Sequence, residues 1–130
     1  MDYGIQLYSV RDLAEKDLSA AVKHVAELGY SSVEFAGFFG HSADEVNEML
    51  RENNLRVSST HSGFDALVNN YDETVAFHKA IGDKLYIIPG YDLGSQEKLD
   101  VFVKKASEIS KRLAQDGITL AYHNHAHEFK

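Results

Sequence analysis

The 130-residue chain contains no cysteine, which excludes disulfide bonds and thiolate chemistry. It also lacks an excess of positive charge, because 13 Lys and Arg residues stand against 20 Asp and Glu residues, for a net charge of −7. That balance repels a phosphate backbone, and no basic stripe overrides it. We therefore expect no nucleic-acid partner.

Long apolar segments are absent as well. No run approaches the roughly 18 apolar residues of a membrane span, so no membrane partner is expected. The opening Met1-Asp2-Tyr3-Gly4 has no basic segment followed by an apolar one, so we expect no signal peptide and a cytoplasmic protein. The nucleotide-binding patterns GxGxxG and GxxxxGK(S/T) and the nucleophile pattern GxSxG do not occur.

What the chain does contain is a repeated unit, in which a short apolar run precedes an amphipathic helical stretch. Strands are predicted at residues 4–10, 31–35, 55–60, 84–88 and 118–122, and helices at 18–28, 42–53, 70–81 and 95–115. Regular βα alternation predicts an α/β fold with a parallel sheet, either open and doubly wound or part of a (β/α)8 barrel. A full barrel takes about 250 residues, so residues 1–130 form a single domain of about half that size.

In either architecture, functional groups gather where the strands end at their carboxyl side. Glu34 lies near the end of the second predicted strand, and His61 follows the third. A carboxylate between apolar neighbours is either solvent-facing or functional, because burying an unpaired charge is costly. A lone histidine is often a satisfied core residue, but the position of His61 after a strand makes a functional role equally plausible.

The segment after the fifth strand, His123-Asn124-His125-Ala126-His127-Glu128, is the most distinctive. Three histidines at alternate positions project to one side if the chain stays extended. Imidazole and carboxylate groups are common ligands of divalent transition metals. The alternative is a solvated terminus whose histidines have no role.

Four segments carry a family likeness: GIQLYSVRD at 4–12, ELGYSSVEFAG at 27–37, VSSTHSGF at 57–64 and AYHNHAHEF at 121–129. Together they resemble, in the same order, the sugar phosphate isomerase/epimerase family of xylose-isomerase-like TIM barrels. The resemblance covers nearly the whole chain. It implies parallel (β/α) units of a TIM barrel, from β1 to β5, which is the N-terminal half only.

The resemblance also implies a function. Enzymes of this family bind a divalent metal ion (Mn, Mg, Co or Zn) and move a proton of a small sugar through an enediolate. Glu128 matches the family's first metal-binding glutamate, so it is predicted as a metal ligand and catalytic residue. Glu34, His61, His123 and His125 are expected to contact the substrate or to orient the groups that do.

The family's other metal ligands follow later strands that this sequence does not contain, so the chain is expected to be inactive alone. It is either a fragment of a longer enzyme or a half-barrel that pairs with another copy. Unpaired edges at 4–10 and 118–122 favour a homodimer or larger assembly.

Two other functions stay open. The chain could be a non-catalytic half-barrel that only assembles or binds. It could also resemble metal-dependent abasic-site endonucleases, in which His61 would match a zinc ligand. The net charge of −7 and the absence of a histidine in Ile88-Pro89-Gly90 rank that reading lower.

Overall fold

The computed structural model describes residues 2–129, with the side chains of residues 127 and 129 outside that description. Strands and helices alternate in the predicted order. The strands are β1 (Gly4–Gln6), β2 (Ser32–Phe35), β3 (Arg56–His61), β4 (Leu85–Ile88) and β5 (Thr119–Tyr122). The helices are α1 (Arg11–Ala14), α2 (Leu18–Glu27), α3 (Ala43–Glu52), α4 (Phe64–Asn69), α5 (Tyr71–Ala80) and α6 (Gln96–Gln115), with 3-10 turns at Leu7–Val10 and Ala126–Phe129.

The five strands form one sheet in the order β1-β2-β3-β4-β5, and every pair of neighbours is parallel. Sequential order excludes the doubly wound alternative, in which the strand order reverses within the sheet. The arrangement is that of half a (β/α)8 barrel, as predicted. Within residues 2–129, β1 pairs only with β2, and β5 pairs only with β4.

The principal helices begin at capping residues that the sequence supplies. Asp17 accepts a hydrogen bond from the Ala20 amide at the start of α2. Ser42 and Glu45 form the predicted capping box of α3, in which each side chain bonds the other residue's backbone amide. Ser95 caps α6 through the Lys98 amide. Such caps satisfy amides that the first helical turn leaves unbonded.

The helices cover one face of the sheet. Val33 and Phe35 of β2 are buried in one apolar cluster with α2 and α3, while Tyr86 and Ile88 of β4 are buried in a second cluster with α4 and α6. Each buried side chain of this size contributes roughly 1.5–3 kcal/mol. Because side chains alternate along a strand, the residues between them point to the opposite, inner face.

The structure differs from the prediction at the end of the first strand and at helix α4. The first strand ends at Gln6, which pairs with Glu34, rather than at residue 10, because residues Leu7–Val10 form a 3-10 turn. The chain then turns, which places Leu7 in the outer core. Helix α4 was not predicted, since its apolar anchors, Phe64 and Leu67, cover less than two helical turns.

Among residues 2–129, no helix combines the length and the apolar character that crossing a membrane requires.

Candidate active site

The inner face of the sheet carries a cluster of polar side chains at the carboxyl ends of the first three strands. Gln6 is the last residue of β1, Glu34 lies in β2, and Ser59 and His61 lie at the end of β3. Parallel strands bring these positions to one edge of the sheet, which is the edge where barrel enzymes place their chemistry.

Glu34 is the centre of the cluster. Its Oε1 accepts a hydrogen bond from the Gln6 amide at 2.6 Å and lies 3.2 Å from Nε2 of His61. Its Oε2 accepts a hydrogen bond from the Ser59 hydroxyl. Both carboxylate oxygens are therefore held by neighbours, which fixes the orientation of the group.

A β-bulge in β3 makes this meeting possible. Val57 pairs with Val33, but the next pair is Ser59 with Glu34, so Ser58 is an extra residue in the ladder. A strict alternation would place His61 on the same face as Val57, which packs against the outer core. The bulge reverses the phase, so Ser59 and His61 turn inward beside Glu34.

His61 is contacted by Gln6 as well as by Glu34. The Gln6 amide nitrogen lies 3.2 Å from its Nε2 and 3.3 Å from its Nδ1. Burial lowers the pKa of His61, the Glu34 carboxylate acts to raise it, and the nearby His123 and His125 lower it further, with a net pKa below the ordinary value. A neutral imidazole near pH 7 can accept a proton or a hydrogen bond from a ligand hydroxyl.

The segment that follows β5 adds two of the alternating histidines. The ring of His123 lies 5.0 Å from that of His61, and the ring of His125 lies 4.7 Å from that of His123. The two rings are therefore on one side, as the alternating spacing predicts. The side chain of the third, His127, lies outside the described residues.

These side chains open into a cleft of about 460 Å³. Its walls come from the carboxyl ends of all five strands: Gln6, Tyr8, Ala36, Gly37, His61, Pro89, His123 and His125. The volume lies within the range of small-molecule sites. The cleft therefore offers a ligand one amide, three imidazoles and an aromatic ring.

Glu128 occupies a different position from the other predicted site residues. Its carboxylate accepts hydrogen bonds from the Tyr122 hydroxyl and, at 2.6 Å, from the His125 amide. Burial, with the hydrogen bond to Glu128 as a second cause, raises the pKa of Tyr122. His125 lies between the cleft and Glu128, since it lines the cleft and its Nδ1 is 4.0 Å from Glu128 Oε1.

The donor set does not fit a resident metal ion by itself. Among the residues that the structure describes, no group of three or more His, Asp or Glu side chains is arranged to hold one. Glu128 offers one carboxylate, and Glu34 belongs to the separate cluster with Gln6 and Ser59. The metal role of Glu128 stays a prediction that requires ligands beyond those described.

The sequence prediction missed Gln6 and Ser59, which hold Glu34. Gln6 could have been found as the polar residue in an apolar strand, directly opposite Glu34 in the register. Ser59 could not, because its direction depends on the bulge. Glu34, His61, His123 and His125 were predicted as one group, and the structure brings them together.

Neither protein-family models nor curated protein sequences match this chain. Several solved structures match it in fold. Two sugar phosphate isomerases/epimerases from Parabacteroides distasonis superpose with TM-scores of 0.82 and 0.79, at 22% and 20% identity over 99% of this chain. An AP endonuclease of family 2 from Brucella melitensis superposes with a TM-score of 0.73, at 18% identity over 94% of this chain.

The chain spans about half the length of these structures, namely 56%, 53% and 55% of them, respectively. At this level of identity the likeness defines the fold. The chain therefore has the fold of half a barrel of the type seen in sugar phosphate isomerases/epimerases and xylose-isomerase-like proteins.

Proposed function

We propose that the chain provides half of a metal-dependent sugar isomerase or epimerase, whose substrate is a small sugar or sugar derivative bound in the cleft. The observation that carries the proposal is the Gln6–Glu34–His61 network at the carboxyl edge of the sheet. A fixed carboxylate beside a neutral imidazole suits a substrate rich in hydroxyl groups.

The reaction class is the transfer of a proton from a carbon next to a carbonyl, through an enediolate, to a neighbouring position. In this proposal His61 exchanges a hydrogen bond or proton with a substrate hydroxyl, and Glu34 fixes its ring. His123, directly after β5, contacts the same substrate. General acid–base groups of this kind typically contribute about 10²–10⁴-fold to a rate.

Solvent deuterium exchange tests this proposal. The full-length protein is incubated in D2O with a panel of aldoses, ketoses and their phosphates, and loss of the C–H signal is followed by proton NMR. We expect exchange with at least one sugar, and a loss of about 100-fold in His61→Ala. Asp100→Asn, on the exposed side of α6, is the control. Absence of exchange with every sugar, or an unchanged rate in His61→Ala, contradicts the proposal.

The metal requirement is proposed from the family resemblance, with Glu128 as one ligand and the others supplied from beyond these residues. Calorimetric titration of the full-length protein with Mn²⁺ tests it. Glu128→Gln should lose affinity sharply, whereas His127→Ala should not. Equal affinity in both variants would assign the binding to a histidine-rich segment instead.

Assembly is a second candidate function, favoured by the edges of the sheet. The outer edges of β1 and β5 have no strand partner within residues 2–129, and exposed edges recruit other strands. We propose that the 130-residue chain, if stable alone, forms a homodimer or larger assembly through these edges. Light scattering that shows a monodisperse monomer would exclude this.

A further inference from the structure

A second cavity lies next to the cleft. Its volume is about 550 Å³, and it shares Gly37 and His61 with the cleft. It lies between the β2–α3 loop on one side and α4 and α5 on the other. Because His61 borders both spaces, a molecule bound there can extend from the cleft into the cavity.

The cavity wall is mixed in character, and its polar part can bind hydroxyl groups. The polar side chains other than the two shared or buried histidines are His41, Ser62, Asn70, Glu73 and Thr74. Within the part of the chain that the structure describes, the Asn70 amide and the Glu73 carboxylate bind no other residue. An amide can donate and accept a hydrogen bond, and a carboxylate accepts hydrogen bonds from hydroxyls. Both groups are therefore available to a ligand.

Another part of the wall is aromatic. Phe38 and Phe77 meet edge to face, with ring centroids 4.6 Å apart, and both are half-buried. A pyranose ring has C–H groups that can rest against the negative face of an aromatic ring, and it carries hydroxyl groups around its rim. A wall that combines aromatic surface with separate hydrogen-bonding groups therefore suits a sugar.

The charge of the wall disfavours an anionic ligand. No Lys or Arg is among the described residues that line the cavity, and Glu73 adds a carboxylate. A phosphate or carboxylate group would be repelled by that charge. The wall thus favours a neutral sugar unit over a phosphorylated or acidic one.

We propose that this cavity is a second sugar subsite, and that the preferred substrate is a reducing disaccharide. The reducing unit occupies the cleft, where it reacts in its open-chain form with a free carbonyl, and the non-reducing unit occupies the cavity. The inference rests on the proposed function, because the cleft is taken as the site of proton transfer. It deepens that function by adding the size and charge of the substrate.

The reaction leaves the bond between the two units intact. The proton that leaves the carbon next to the carbonyl returns either to the same carbon from the other side, which gives an epimer, or to the carbonyl carbon, which gives an isomer. In isomerisation the hydroxyl proton of the first carbon also moves to the former carbonyl oxygen. Nothing is added to the disaccharide or removed from it.

Calorimetric titration of the full-length protein tests the second subsite. The ligands are D-glucose and three disaccharides with glucose at the reducing end, namely cellobiose, maltose and lactose. We expect at least one disaccharide to bind about tenfold more tightly than glucose, since the second unit adds one or two hydrogen bonds. Combining Asn70→Ala with Glu73→Ala should reduce this ratio to about one and leave the affinity for glucose unchanged.

The matched control is Glu97→Ala, because Glu97, like Glu73, is an exposed glutamate in the first turn of a helix. It does not line the cavity, so the preference for the disaccharide should persist in this variant. Thermal unfolding of each variant confirms that it is folded.

The outcomes separate the two proposals. Binding of all three disaccharides no tighter than that of glucose, or a preference that the double variant retains, overturns the second subsite. Deuterium exchange of the same sugars in D2O reports on the proposed function. If the double variant loses the preference but no sugar exchanges, the cavity is a sugar-binding site and the proposed proton transfer is wrong. If glucose exchanges and no disaccharide is preferred, the proton transfer stands and the second subsite is wrong.

Discussion

Strand β3 has a histidine–carboxylate pair on each of its faces, and the two pairs differ in access to solvent. On the helix side, His78 lies 2.8 Å from Asp83, whose Oδ2 also accepts the Thr60 hydroxyl at 2.8 Å. These two side chains are 5% and 0% exposed. On the inner side, His61 lies 3.2 Å from Glu34, and their side chains are 12% and 19% exposed.

The same chemical groups therefore serve different purposes. The outer pair is sealed between the sheet and α5, where its hydrogen bonds satisfy groups that would be costly to bury alone. Asp83 also accepts the Leu85 amide, which joins α5 to the start of β4. In the inner pair, His61 lines the cleft, where a ligand can reach it. Burial, rather than residue type, separates the structural pair from the pair that we propose to be functional.

The largest effect is expected from breaking the outer pair. Asp83→Ala leaves His78 and Thr60 without their buried acceptor, and we expect a loss of about 3 kcal/mol in the free energy of unfolding. Urea denaturation followed by circular dichroism measures it. The matched change Asp100→Ala, on the exposed side of α6, should have no resolvable effect. A loss in Asp83→Ala no larger than that of the control would show that the outer pair is not structural.

The inner pair should respond in the opposite way. Glu34→Gln retains the shape of the side chain, so the free energy of unfolding should change by less than about 1 kcal/mol. Deuterium exchange of the sugar substrate should fall by about 100-fold, because His61 loses its carboxylate partner. Denaturation and exchange measured on the same preparation check both parts. A loss in the free energy of unfolding comparable to that of Asp83→Ala would show that Glu34 is a structural residue.

The pH response sharpens the comparison further. The pKa of His61 is lowered by burial and by His123 and His125, against the opposing effect of Glu34. A function that needs neutral His61 is therefore retained at pH values just below the ordinary histidine pKa. It is lost as the pH falls through the lowered pKa of His61. His123→Ala removes one lowering neighbour, so the pKa should rise and the acidic limb should move to higher pH. Titration of the His61 ring by NMR measures the shift, and a downward shift would contradict this account.

The smallest effect is expected at Ser59. Ser59→Ala removes one of the two hydrogen-bond donors to Glu34, and the Gln6 amide remains as the other. We expect a loss of about 1 kcal/mol in the free energy of unfolding. Exchange should decline less than in Glu34→Gln. A larger functional loss than in Glu34→Gln would indicate that the hydroxyl contacts the substrate itself.

Much of this fold follows from local patterns in the sequence. The alternation of strands and helices and the capping of α3 by Ser42 and Glu45 could be predicted, because they depend on periodicity and short-range spacing. The order of the strands in the sheet was predicted from the family resemblance, since periodicity left the doubly wound alternative open. The early end of β1 at Gln6 could not be predicted, because the turn that follows it accompanies the burial of Leu7 in the outer core, which is a tertiary contact. Nor could α4, which is stabilised by burial in the second apolar cluster.

In the candidate site, too, some features could be predicted from the sequence and others could not. Glu34 and His61 could be proposed because each lies near the end of a predicted strand. The face that His61 would occupy could not be predicted, since the bulge at Ser58 reverses the alternation along β3 and no local pattern indicates it. The position of Glu128 beside Tyr122, apart from Glu34, depends on the path of the chain after β5.

The central claim is that a sugar binds at the inner pair and not at the outer one. Histidine ring NMR of the full-length protein during titration with the sugar that shows deuterium exchange tests it most directly. We predict that the signals of His61 and His123 move together as the sugar is added, while those of His78 stay fixed. Movement of His78 with no change in His61 would contradict the assignment of the cleft as the sugar site.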